Sequence, residues 1–149
     1  MPKAKDLMTT HLISVDPDDS VETAISLMIK HRVSGLPVTD ASGELLGVIS
    51  EFDLLDLVWD PNTGRDKVHD YMTAEAYSAD VDEEIETVAK RFHDLSIRRL
   101  PVIEGNRLVG IISRHDLLRY VMYARGKVAP VVLQPLSPVD TPFPSPAGG

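Results

Sequence analysis

A mixed α/β (α+β) fold is what this 149-residue sequence predicts: two tandem β-α-β-β-α repeats packed about a pseudo-two-fold axis. Three observations predict it. "DLMTTHLISVDPDDSVETAISLMIKHRVSGLPV" aligns without a gap, at an offset of 64, with "DYMTAEAYSADVDEEIETVAKRFHDLSIRRLPV", from Asp6/Asp70 to Val38/Val102. One residue is then lost where "TDASGELLG" shortens to "IEGNRLVG", as a hairpin turn tolerates, and the match resumes through Leu55/Leu118. A single repeat of this size would bury only roughly 60% of its unfolded surface. The two are therefore expected to share one body, repeat 1 over residues 1–64 and repeat 2 over 65–125, with paired clefts at the junction, where ligands favour binding.

The elements follow in order within each repeat. A short opening strand precedes a helix whose apolar residues recur at helical spacing: Val21, Ala24, Ile25, Met28 and Ile29 in the first repeat, Ile85, Val88, Ala89 and Phe92 in the second. Asp18, Asp19 and Ser20 before one helix, and Asp82 to Glu84 before the other, offer capping oxygens and negative charge to the positive helix end. "GLPVT" with "LLGVIS", and "RLPVI" with "LVGIIS", read as hairpin strands, Leu-Pro marking the strand entry. The last helices are expected to start near Glu51 and Arg114.

Composition narrows the function. Hydrophobic residues make up 43% and charged residues 26%, there is no cysteine, and no apolar run is long enough to cross a bilayer. With no signal-peptide pattern at the N-terminus, a cytoplasmic, membrane-free protein is expected. The net charge of −8 is uneven: residues 1–64 hold 4 basic against 11 acidic side chains, residues 65–125 hold 10 against 11. The basic groups Arg98, Arg99, Arg107, Arg114 and Arg119 cluster in one stretch, too small a patch for duplex nucleic acid but suited to a small anion. The five histidines lack metal-ligand spacing, Gly47 and Gly110 are single strand glycines rather than a phosphate loop, and no hydrolase elbow is present. No catalytic residue, metal site or enzymatic activity is expected.

"GVISEFDLL" and "GIISRHDLL" each contain S-x-x-D, Ser50 to Asp53 and Ser113 to Asp116. As a capping box, the Ser hydroxyl and the Asp carboxylate satisfy N–H groups of the first helical turn, worth about 1 kcal/mol per helix. That reading needs no ligand.

The tandem pattern, with "MT" opening each repeat, "HRVSGLPV" and "IRRLPV" before the hairpin, and "GVISEFD" and "GIISRHD" leading into the last helix, resembles a CBS-domain pair over about residues 5–123. The resemblance implies a regulatory module that binds adenine nucleotides (AMP, ADP, ATP) or S-adenosylmethionine and modulates a partner protein, here as a stand-alone pair with no other cofactor. It implies a ribose on the motif Asp of at least one repeat, with charge-assisted hydrogen bonds of roughly 1.5–3 kcal/mol each. Carried over residue by residue, Asp116, Ser113 and Ile111 would meet Ile13 and Ser34, while Asp53, Ser50 and Val48 would meet Tyr77 and Arg98. The family often places a basic residue before Leu-Pro to receive phosphate; here Ser34-Gly35 contrasts with Arg98-Arg99. Arginine suits phosphate through its planar fork, although surface arginines are usually only solvated. Arg114 and His115, beside Asp116, complete the candidate set. Capping and ribose binding remain compatible, and a purely structural interaction module remains the alternative.

Two expectations concern assembly and the C-terminus. The last helices carry Leu54, Leu55, Val58, Leu117, Leu118, Val121 and Met122, more apolar surface than one intramolecular face absorbs, so a homodimer is expected. Residues 126–149 hold six of the eleven prolines and read as an extended, Pro-rich tail, either disordered or docking in an apolar groove.

Overall fold

In the computed structural model, residues 1–127 are described. The Pro-rich tail expected beyond Lys127 lies outside them. The chain divides into two compact units. One is Ile13–Ala76; the other joins Met1–Leu12 to the chain from Tyr77 onward.

The unit Ile13–Ala76 contains helix α2 (Val21–His31), strands β1 (Gly35–Thr39) and β2 (Leu45–Ser50), the single-turn helix α3 (Glu51–Leu54) and strand β3 (Thr73–Ala74). The other unit opens on helix α1 (Ala4–Leu7) and continues with β4 (Ala79–Asp80), α4 (Ile85–Leu95), β5 (Arg99–Glu104), β6 (Arg107–Ser113) and α5 (Arg114–Ala124). Each unit holds a three-stranded sheet, ordered β1-β2-β3 and β4-β5-β6. The hairpins pair antiparallel, Gly35 opposite Ser50 and Arg99 opposite Ser113. The Leu-Pro strands are buried on both faces at their centres, Leu36, Pro37 and Val38 in one and Leu100, Pro101 and Val102 in the other, rather than alternating.

The segments that open each repeat exchange sheets. β3, from the start of the second repeat, pairs with β2 of the first, while Thr9, from the start of the first repeat, bridges Ile111 on β6. Three further hydrogen bonds recur in both units at the repeat offset. Val21 N, Val68 N and His69 N donate to the carbonyls of Asp66, Asp19 and Pro17; Ile85 N, Ala4 N and Lys5 N donate to those of Pro2, Glu83 and Val81. Each exchanged segment also buries its anchor in the sheet it joins. Val68 lies in the core with Val15, Ala24, Met28, Leu36, Val38 and Ile49, and Ala4 and Leu7 lie in the core with Ile85, Val88, Phe92, Leu100 and Ile112. The repeat boundary near residue 64 and the packing boundary near residue 76 thus mark different things, ancestry of sequence and partnership of strands.

Several local expectations are refined. The opening strand of the first repeat is only a parallel bridge, Val15 to Val38, and that of the second is two residues long. Ile29 is 73% exposed rather than part of the core face, because α2 turns its Val21–Ala24–Met28 stripe inward. Ser20 caps α2 by accepting from Thr23 N at 3.1 Å. Glu84, its counterpart, makes no side-chain cap on α4. There Glu83 binds Arg91 instead, at 2.6 and 3.0 Å, and Arg91 also donates to the Ser78 carbonyl. The last helix of the first repeat ends after one turn and continues as a 3₁₀ turn over Leu55–Val58, whereas α5 runs for 11 residues. Asp56 and Asp60 place negative charge at the negative helix end, and Pro61 disfavours helical geometry at Asp60. The second repeat has neither obstacle.

Candidate ligand-binding site

Both Ser-x-x-Asp motifs sit where the second hairpin strand turns into the last helix. In the unit Ile13–Ala76, Ser50 is the residue before α3, and its backbone N–H and hydroxyl both donate to Asp53 Oδ2, at 2.8 and 3.0 Å. Asp53 N donates back to Ser50 Oγ at 3.3 Å. In the other unit, Ser113 N and Oγ reach Asp116 Oδ2 at 2.8 and 3.1 Å, and Asp116 N reaches Ser113 Oγ at 3.2 Å. The capping reading of the motif holds in full at both places. Each box uses one carboxylate oxygen and leaves the other, Oδ1, outside the cap.

The second oxygens differ. Asp53 is half-buried, and its Oδ1 accepts no hydrogen bond among the described residues. Asp116 is 7% exposed, and its Oδ1 accepts from Arg119 at 2.7 Å. Burial pushes the Asp116 carboxyl up from its ordinary range, with Ser113 and Arg119 pulling it back. The residue aligned with Arg119 in the first repeat is Asp56, which reverses the charge at that position. Arg119 was not singled out as a site residue from sequence, yet the substitution of Asp by Arg at one repeat position was the available signal.

The strand entries flank the motifs. Glu51 N donates to the Ser34 carbonyl at 2.8 Å and Arg114 N to the Arg98 carbonyl at 3.2 Å, so that residues 34 and 98 stand beside the first turns of α3 and α5. Arg98 is exposed. Arg99 is half-buried, opposite Ser113 in the hairpin register, and burial pulls its guanidinium down to about 10, with Asp116 opposing the shift. It remains a cation at neutral pH.

The candidate residues fall into two sets. Val48, Ser50, Asp53 and Ser34 gather around the start of α3, and Ile13 packs against the core of the same unit. Ile111, Ser113, Asp116, Arg98, Arg99, Arg114 and His115 gather around the start of α5, with Arg114 and His115 exposed. Tyr77, 61% exposed, opens the chain segment of that second unit. Val48 and Ile111 are half-buried on the second hairpin strands, paired with Pro37 and Pro101. Among the described residues no group of three or more His, Cys, Asp or Glu side chains is arranged to hold a metal ion.

The family model for the CBS domain matches residues 4–60 and 68–123, one match per repeat. The chain belongs to the CBS-domain family. As a CBS pair it is 33% identical over 118 residues to the CBS domain-containing protein YhcV of Bacillus subtilis, covering 78% of this chain and 84% of that protein. It is 35% identical over 129 residues to inosine-5'-monophosphate dehydrogenase of Methanocaldococcus jannaschii, covering 84% of this chain but only 25% of that enzyme. Among solved structures, CBSX2 in complex with AMP superposes with a TM-score of 0.76 at 30% identity, covering 84% of this chain and 99% of CBSX2. The CBS-domain pair of protein MJ0100, in complex with 5'-methylthioadenosine and S-adenosyl-L-methionine, superposes with a TM-score of 0.71 at 26% identity, covering 83% of this chain and 98% of that one.

Proposed function

We propose that this CBS pair is a regulatory sensor that binds an adenosine-containing ligand, AMP, ADP or ATP, through its Ser-x-x-Asp motifs and thereby modulates a partner protein. The observation that carries the reading is the carboxylate of Asp53. One oxygen is fixed by the cap, so the other is held at a defined angle with its acceptor capacity unused by any described residue. A ribose diol supplies two hydroxyl donors that match it, and Val48 beside the motif offers apolar surface to a purine. CBSX2 with AMP and the MJ0100 pair with two adenosine-derived ligands support the class of ligand. The positive potential of Arg98, Arg99, Arg114 and His115 around the start of α5 supports an anionic ligand. Ligand binding selects one arrangement of the module, by no more than its difference in affinity between arrangements. The partner sees that arrangement rather than the ligand.

The reading gives the chain no catalytic step. Inosine-5'-monophosphate dehydrogenase matches it over a quarter of its own length, which suits a module carried beside a catalytic domain. The proposed setting is the cytoplasm, where adenine nucleotides circulate, and no described helix is long and apolar enough to cross a membrane. Homodimerisation is part of the proposal. Leu118, Val121 and Met122 on α5 are 63%, 46% and 45% exposed, whereas Leu54 and Leu117, expected on the same surface, pack inward.

A second reading has its own support. Glu51 and Asp53 make the start of α3 acidic, which suits the cationic sulfonium of S-adenosylmethionine better than a phosphate. Thermal unfolding with AMP, ADP, ATP and S-adenosylmethionine tests both. A ligand at one hundred times its Kd stabilises by about 2.7 kcal/mol. A rise in Tm with the nucleotides supports the first reading, a rise with S-adenosylmethionine alone supports the second, and no rise with any of the four contradicts the sensor and leaves a structural interaction module.

A further inference from the structure

The two Ser-x-x-Asp motifs are alike in sequence but differ in acceptor capacity. An ionised carboxylate offers about four lone-pair sites. In each motif two are taken at Oδ2, by the N–H and the hydroxyl of Ser50 or of Ser113. Asp53 keeps both sites of Oδ1. Asp116 gives one of its own to Arg119 at 2.7 Å, and this pair is well enclosed, the side chains being 14% and 10% exposed. A ribose diol brings two hydroxyl donors. Asp53 accepts both; Asp116 accepts one. The ion pair also offsets the charge that would have strengthened a hydrogen bond to ribose, and in an enclosed setting that loss is large. The repeat alignment places Asp56 where Arg119 stands, so the first motif has an acidic neighbour at the same helical position and no such partner.

We propose that Arg119 is a specificity-determining positioning residue: by holding Asp116 Oδ1 it withholds the second motif from ribose, so that an adenosine ligand is taken by Asp53. The inference rests on the ribose reading of the motifs and deepens it, making the module a sensor with one working motif and one closed by its own helix. A ligand that engages Asp116 must first draw Arg119 away, so its affinity there is lowered by the strength of that pair. Asp116 and Arg119 stand three positions apart on one helix, a spacing that keeps the pair in register.

Adenosine is the probe, because it carries no phosphate and its affinity does not respond directly to the loss of a positive charge. Calorimetric titration is made on wild type, Asp53→Asn, Asp116→Asn, Arg119→Met and the double variant Arg119→Met/Asp116→Asn, each checked for folding by circular dichroism. Arg119→Gln carries the same test if the Met variant does not fold. The expected result is one adenosine per chain in wild type, weakened roughly tenfold or more by Asp53→Asn and little changed by Asp116→Asn. Arg119→Met should add a second binding event, absent from the double variant and absent with 2'-deoxyadenosine, which lacks one hydroxyl of the diol. Two adenosines in wild type with equal dependence on Asp116, or an Arg119→Met variant that binds as wild type while Asp53→Asn is weakened, overturns the role of Arg119 and leaves the ribose reading standing. Indifference of adenosine binding to both Asp variants, or no binding to any of the proteins, overturns the ribose reading and the role of Arg119 with it.

Discussion

Gly47 faces the Thr73 carbonyl oxygen so closely that a Cβ at position 47 would collide with it. The contact joins β2 to the segment that opens the second repeat, and it is why a glycine interrupts an otherwise apolar strand. Gly110 has the corresponding place on β6, but there the crossing neighbour is the side chain of Met8. A backbone carbonyl cannot step aside, whereas a thioether partly can. Gly47→Ala should therefore destabilise by about 2–3 kcal/mol and Gly110→Ala by less, within the range for overpacked sites. Urea unfolding of the two variants checks the order; equal losses would mean that the crossing segments yield equally.

The capping boxes should show in stability independently of any ligand. Ser50→Ala and Ser113→Ala each remove a hydroxyl that accepts from the helix and donates to the carboxylate, for about 1 kcal/mol apiece. The loss should be larger at Ser113, because Asp116 is buried and α5 is 11 residues long. Thermal unfolding without nucleotide is the measurement, and a smaller loss at Ser113 would speak against the burial argument.

Acid should act through Glu83. The Arg91 guanidinium holds its carboxyl below the ordinary glutamate range, helped by Asp80 N and opposed by burial. A depressed folded-state pKa means that the unfolded chain binds the proton more readily. The pair's stabilisation is present above the unfolded value near 4.5 and is lost as the pH falls through the folded one. Both side chains are about a quarter exposed, so screening limits the effect to about 1 kcal/mol. Glu83→Gln should lower Tm at neutral pH and flatten its dependence on pH in the acid range. An unchanged acid slope would remove Glu83 from the account.

Assembly is checked by light scattering. At micromolar concentration the mass should be twice 16.4 kDa, and Leu118→Glu, on the exposed part of α5, should halve it. A monomeric wild type contradicts the dimer.

Much of this was legible in the sequence because it is locally encoded. The hairpins announce themselves by Leu-Pro entries and a one-residue deletion, and the caps by Ser-x-x-Asp. The exchange of opening segments is not encoded locally. Ala4 and Val68 align in the repeats, and both are fully buried, but no pattern around either says which sheet it joins. Strand partnership is decided by tertiary packing. The short α3 was written in Asp56, Asp60 and Pro61, all readable, which the expectation of a last helix carrying Leu54, Leu55 and Val58 left out. For the candidate site, residue types and the capping geometry were readable, whereas the difference between Asp53 and Asp116 depends on where the Arg119 side chain reaches, which spacing alone does not fix.

The central claim is that the Asp53 carboxylate holds the ribose of an adenine nucleotide. Calorimetric titration of AMP into wild type and Asp53→Asn tests it most directly, since Asn preserves the shape of the side chain while removing its charge. The account predicts measurable binding of AMP to wild type and a loss of roughly tenfold or more in the variant, with Tm in the absence of nucleotide lowered by no more than a helix cap accounts for. AMP bound equally by both proteins would contradict it.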